Sequence, residues 1–305
     1  MQRMEELIPG LPGEWYDEMR DLPQEAAGSI EEIRVKTGRP VYVYCGSGEY
    51  ILGSTRTRPV DKKILNNICN SLFNHSVYAY QEELANGYIT LDSGFRIGFC
   101  GRAVVEGDRV KTLRDITSLN IRRAREIKGI SERCFPYTLD SDGRFYNTLI
   151  ISPPKCGKTT LLRDFIRSLS DRGFRVGVCD ERNEIAGAGH TGFCYDLGDR
   201  TDVLSGCPKE KGMMMLIRSM APDILATDEI GREEDCGAIS SAVTAGIGLL
   251  TTIHGGSYED VLRSGVGPMV GKGVFQRLIF LTNRPRTGTV SEICNWKNER
   301  VAGRL

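Results

Sequence analysis

The chain has 305 residues, 40% of them hydrophobic and 26% charged, which is enough apolar material for two ordinary cores and excludes a disordered chain. Forty basic residues balance forty acidic ones, so no overall field draws the protein onto nucleic acid or an anionic bilayer, and any such partner must be met by a local patch. The ten cysteines form no C-x-x-C pair and no Cys/His cluster at zinc spacing, no secretory leader is recognisable, and no apolar run approaches the ~18–20 residues of a membrane span, so a cytoplasmic protein is expected.

In chain order, "EEIRVKTGRPVYVY" predicts two strands around a Thr-Gly-Arg-Pro turn, because alternating apolar residues flank the turn formers. "DKKILNNICNSLF" spaces Ile64, Leu65, Ile68, Leu72 and Phe73 at helical intervals. "GYITLDSGFRIGFCGRAVVEGDRVKTL" predicts three short strands, broken at Asp92-Ser93-Gly94 and at Glu106-Gly107-Asp108. These elements make a small α+β domain over residues 1–125. The stretch 126–146 has no sustained period and carries turn residues at Gly129, Pro136 and Asp142-Gly143, so it is expected to be a linker.

From residue 147 to 305 short apolar strands alternate with helices, a pattern that predicts βα units and a mainly parallel sheet. "NTLIIS", "RVGVCD", "DILATD", "GLLTTIH" and "RLIFLT" are the strands. The first runs into "PPKCGKTTLLRDF". Here Gly157, Lys158 and Thr159 match the end of a phosphate-binding loop, in which backbone N–H groups converge on phosphate, the lysine reaches the β/γ-phosphates and the hydroxyl binds Mg²⁺. Leu161, Leu162, Phe165, Ile166 and Leu169 give the following helix one buried face. Ser152 replaces the first glycine of the pattern, and Pro153 and Pro154 remove two backbone donors, so donors must come from Cys156 onward. Cys156, beside Lys158, is either a thiol of lowered pKa or a small residue filling space.

Downstream, "PDILATDEIGREED" ends a strand in Asp228-Glu229. One carboxylate there can face Mg²⁺ or its water shell, and the other can orient or deprotonate an attacking water. Asp180-Glu181 ends another strand and should face the same crevice, since ligands of parallel sheets gather at strand carboxyl ends. His254 closes "GLLTTIH", after Thr251 and Thr252, and is expected to be a polar contact to the γ-phosphate or its water. Each of these residues taken alone also has a plain structural reading.

Together the segments resemble the type II/type IV secretion ATPase family, whose RecA-like domains carry a phosphate loop, an aspartate box, a Walker B segment and a histidine box. The resemblance runs through "LIRSMAPDILATDEIGREEDCGAISSAVTAGIGLLTTIHGGSYEDVLRS" and, in the N-terminal half, "QEELANGYITLDSGFRIGFCGRAVVEGDRVKTLRDITSLNIRRARE". It implies an α/β fold, with a RecA-like P-loop NTPase domain after the smaller α+β domain. It further implies a homo-hexameric ring that hydrolyses ATP with Mg²⁺ and docks on the cytoplasmic face of a membrane secretion or channel complex, peripheral to the membrane.

The resemblance also assigns roles. Pro154, Lys155, Cys156, Gly157, Lys158, Thr159 and Thr160 would wrap the nucleotide, and Thr159 and Asp228 would hold the metal. Glu229 would activate water, with Lys158, His254, Asp180, Glu181 and Arg232 as further catalytic groups. Arg96, Arg102 and Arg122 would reach the nucleotide from the N-terminal domain, and Arg218 is a further candidate. Asp228 departs from the type II pattern, which has glycine there. The function implied is a motor for assembly or transport. The alternatives are a nucleic-acid-binding P-loop NTPase, disfavoured by the neutral charge and the lack of a basic, aromatic-rich appendage, and a nucleotide-binding scaffold without turnover.

Overall fold

The computed structural model describes residues 8–73, 80–91, 95–123, 127–187 and 194–305. The chain divides into two compact units, Met1–Arg125 with Ala188–Cys194, and Glu126–Gly187 with Tyr195–Leu305.

The first unit carries strands β1 (Ile30–Lys36), β2 (Tyr42–Cys45), β3 (Gly48–Ile51), β4 (Tyr88–Thr90), β5 (Phe95–Glu106) and β6 (Arg109–Arg123) in one sheet, order β3-β2-β1-β6-β5-β4. All its pairings are antiparallel. Period-2 alternation buries Ile33 and Val35 of β1 and Phe95, Ile97 and Phe99 of β5, and an irregularity between Ile30 and Glu32 lets Ile30 be buried as well. The helix Lys62–Leu72 covers that core with Leu65, Ile68 and Leu72, and Asp61 caps it by accepting the Ile64 N–H at 2.7 Å. The expected break at 92–94 lies outside the described residues. Strands β5 and β6 are longer than the expected short pieces, because their outer halves pair with each other as far as Glu106 and Arg109 while exposing both faces.

The second unit holds β7 (Thr148–Ser152), β8 (Val176–Asp180), β9 (Thr201–Ser205), β10 (Ile224–Thr227), β11 (Gly248–His254), β12 (Arg277–Thr282), β13 (Thr289–Cys294) and β14 (Arg300–Ala302). Their order is β14-β13-β12-β7-β11-β10-β8-β9. From β12 to β9 every pairing is parallel, and β13 and β14 add antiparallel at the other edge. All residues of β7, β8 and β10 are buried, as strands covered on both faces must be. No helix among the described residues is long and apolar enough to cross a membrane.

Residues 127–146 are not a free linker but part of this second unit. Cys134 and Phe135 are buried in its core, the Phe135 and Phe165 rings stand 5.2 Å apart, and Arg172 lies 3.8 Å over the Phe135 ring. The helix Lys158–Asp171 is therefore covered on two sides. Leu161, Leu162, Phe165, Ile166 and Leu169 are buried in one core, and Asp164 and Ser168 are buried under the 129–131 segment.

Candidate nucleotide site

Strand β7 ends at Ser152, which is buried, directly opposite His254 of β11, and hydrogen-bonded from its hydroxyl to the Pro153 carbonyl at 2.8 Å. Serine is unstrained here, because the left-handed positions of the loop fall later, at Lys155 (φ 62°) and Gly157 (φ 89°). Glycine is needed at 157 for a second reason. A Cβ there would stand 3.3 Å from the Gly288 Cα. Pro154 and Lys155 are exposed and Thr160 is half-buried. Cys156 is buried in the core with its thiol toward the Pro154 carbonyl, which is the space-filling role.

Gly157 opens the helix Lys158–Asp171, so the N–H groups of its first turn face the loop. The buried Lys158 ammonium lies 3.4 Å from the Ser152 carbonyl and 2.9 Å from His254 Nδ1. Burial lowers the Lys158 pKa against the opposing pull of Asp228 and Glu229. The other nitrogen of the His254 ring, Nε2, faces Glu229 and is 2.7 Å from its Oε1.

Asp228 and Glu229 follow β10. Asp228 Oδ2 accepts the Thr159 hydroxyl at 2.7 Å, and its Oδ1 accepts the Thr252 hydroxyl and the Glu229 N–H. Glu229 has φ 51°, its carbonyl accepts from the Lys209 ammonium at 2.6 Å, and its Oε2 accepts from Arg182 at 2.7 Å. Burial alone would raise the Glu229 pKa. The hydrogen bond from His254, with the charges of His254, Arg182 and Lys158, outweighs it and holds the carboxyl below its usual range. A cleft opens between Glu229, Asp228, Arg182, Glu181 and Lys209.

Lys158 and Thr159 after β7, Asp228 and Glu229 after β10, and His254 at the end of β11 thus meet at the carboxyl edge of the sheet. Other expected site residues stand differently. Asp180 is buried and both its oxygens are occupied, accepting N–H bonds from Glu184, Ile185 and Ala186 at 2.8–3.0 Å. It anchors that loop rather than presenting a free carboxylate, and burial raises its pKa despite the three bonds. Glu181 lies 3.8 Å from Lys209. Arg232 is exposed, and its backbone N–H donates to the Asp235 carboxylate at 3.0 Å, at the start of the next helix. Arg218 ends the helix Lys209–Ser219, which leads to the amino end of β10, the edge opposite the site.

Arg96, Arg102 and Arg122 belong to the first unit. Arg96 lies 3.7 Å over the Tyr88 ring, Arg122 pairs with Glu32 at 3.3 Å, and Arg102 sits opposite Arg114 in the β5–β6 hairpin. Three groups near Glu229 escaped the sequence reading of the site: Arg182, Lys209 and the hydroxyl of Thr252. Arg182 directly follows the Asp180-Glu181 pair, a signal that could have found it. Lys209 carries no signal, since only the turn after β9 brings it there.

The geometry suits Mg²⁺. A hydroxyl and a carboxylate, both hard oxygen donors, stand side by side at Thr159 and Asp228, leaving further positions to phosphate and water.

Known proteins agree with this architecture. The family model for sporulation stage III, protein AA matches residues 20–301. The stage III sporulation protein AA of Bacillus subtilis (strain 168) is 39% identical over 297 residues, covering 95% of this chain and 94% of that one. Among solved structures, the ATPase DotB of Legionella pneumophila aligns with a TM-score of 0.54 at 16% identity, covering 97% of this chain and 82% of that chain. The pilus retraction motor PilT with bound ADP aligns with a TM-score of 0.54 at 12% identity, over 90% and 77%. The fold is therefore an α/β fold resembling the P-loop domains of secretion ATPases, and the chain belongs to the sporulation stage III protein AA family.

Proposed function

We propose that the protein is an ATP-hydrolysing motor of the RecA-like P-loop type. It would act as a homo-hexameric ring on the cytoplasmic face of a membrane secretion or channel complex during sporulation and energise assembly or transport. One observation carries the catalytic part: a continuous chain from Lys158 through His254 to Glu229, beside the Thr159–Asp228 pair. In this reading the first-turn N–H groups and Lys158 hold the β- and γ-phosphates. Thr159 and Asp228 hold Mg²⁺, which when bound neutralises charge on the phosphates. Glu229 orients the attacking water and takes its proton, and its depressed pKa keeps it ionised at neutral pH. His254 ties that base to the phosphate-binding lysine. The ring would bring Arg96, Arg102 or Arg122 to the nucleotide as transition-state cations.

A phosphate-release assay tests this. Glu229→Gln keeps the shape of the side chain, so turnover should fall by ~10²–10⁴ with nucleotide still bound. One observation favours a second reading, a nucleotide-dependent scaffold: both carboxylate oxygens of Glu229 are paired, by His254 and Arg182. Equal, near-zero rates for wild type and variant would select it. Solution mass with and without a slowly hydrolysed ATP analogue tests the ring.

A further inference from the structure

On the carboxyl edge of the second sheet β12, β7, β11 and β10 stand in that order. The phosphate loop leaves β7, and Asp228 and Glu229 leave β10, two strands away. If the hydrolysable end of a nucleoside triphosphate lies toward those carboxylates, its α-phosphate and nucleoside lie toward the other neighbour of β7, which is β12. The chain leaving β12 is the turn 283–288, "NRPRTG".

That turn is packed on the phosphate loop. The Gly288 N–H donates to the Cys156 carbonyl at 3.1 Å, and Thr287 Cγ2 lies 3.6 Å from where a Gly157 Cβ would stand. Its backbone is pinned as well: the Arg286 carbonyl accepts the Thr289 hydroxyl at 2.7 Å, and the Arg284 N–H reaches the Thr282 hydroxyl at 3.3 Å. Arg284 and Arg286 are both exposed, and among the described residues neither guanidinium has an ion pair. Two cations thus ride on a fixed turn whose backbone touches the loop, on the side away from the acids. The loop itself brings one buried cation, Lys158, which the acids already attract.

We propose that Arg284 and Arg286 bind the α-phosphate side of the nucleotide, making the turn 283–288 a third wall of the pocket. The proposal rests on the P-loop reading above and adds a determinant of affinity that is separate from the chemistry. Arginine suits the task because its planar fork can engage phosphate oxygens bidentately.

The test is calorimetric titration of ATP and of ADP into the full chain, as wild type, as Arg284→Ala/Arg286→Ala and as Arg284→Lys/Arg286→Lys. The alanine pair should weaken ATP and ADP by the same factor, about tenfold or more, since both ligands carry an α-phosphate. KM for ATP should rise in step while kcat stays within about twofold, because the chemical groups are untouched. The lysine pair should recover part of the affinity. Unchanged affinity for both nucleotides overturns the inference alone. A loss confined to ATP also overturns it, by placing the arginines at the γ-phosphate. Wild type that binds neither nucleotide overturns the P-loop reading and this inference with it.

Discussion

Asp164 offers the sharpest test of how the second unit is held together. It is buried on the helix that follows the phosphate loop. One oxygen accepts the Gly129 N–H at 2.9 Å and Arg167 at 2.8 Å, and the other accepts both the N–H and the hydroxyl of Ser131 at 2.7 Å. Asp164→Asn keeps the shape but turns one acceptor into a donor that faces donors. Two buried bonds are lost at ~1–2 kcal/mol each, so the cost is about 3 kcal/mol. Arg167 retains a partner in Asp171 at 2.7 Å, so no second charge is orphaned.

For a unit of this size that cost lowers the melting midpoint by roughly 6–12 °C. The loss should also depend on pH. Burial alone would raise the Asp164 pKa, but the Ser131 N–H, Arg167, the Ser131 hydroxyl and the Gly129 N–H outweigh it and hold the carboxyl below its usual range. A depressed folded-state pKa contributes stability that is present above the unfolded pKa and disappears as pH falls through the folded one. Thermal unfolding of wild type and Asp164→Asn should therefore show a constant gap near neutrality that narrows in acid, below the ordinary aspartate range. A gap under about 2 °C, or one that ignores acidification, would refute the reasoning.

Two further outcomes follow from the acid that ends β10. Arg182→Ala removes a cation 2.7 Å from Glu229 and so raises the Glu229 pKa. The acidic limb of kcat/KM against pH should move to higher pH, with Arg182→Lys in between, and a limb that stays put would leave Arg182 a surface cation. The backbone of Glu229 is in the left-handed region at φ 51°, where any Cβ is strained by ~1–2 kcal/mol. Glu229→Gly should therefore be more stable than Glu229→Ala by about 1 kcal/mol in urea, the reverse of the usual order, and equal midpoints would deny the strain.

The strands easiest to read in the sequence were those buried on both faces, since "TLIIS", "VGVCD" and "ILAT" are near-continuous apolar runs. Strand β9 escaped because it lies at a sheet edge, is only partly covered and reads as mixed "TDVLS"; β13 and β14 form the other edge, and β14 has only three residues. Residues 127–146 read as a linker because turn formers punctuate them. Their attachment depends on single residues, Ser131, Cys134 and Phe135, which make no period. At the site, the phosphate loop and the strand-end acids were legible as side chains in a pattern. The part played by Asp180 was not, because its partners are backbone N–H groups that no residue type marks.

What fixes the site is the register of β11, which is paired on both sides. Its Thr251 stands opposite Thr227 of β10, and its His254 opposite Ser152 of β7. Thr252 then falls where its hydroxyl accepts the Glu229 N–H at 2.9 Å and its carbonyl accepts the Ile230 N–H at 2.8 Å, so β11 holds the strained turn of the acid. The same strand delivers the ring that joins Glu229 to Lys158. A slip of one residue would turn His254 and Thr252 together to the other face and break both links at once. The acid after β10 and the lysine after β7 follow strands that do not pair with each other. Their alignment is therefore a property of the buried strand between them, and substitutions in its interior should act on the site before they act on the fold.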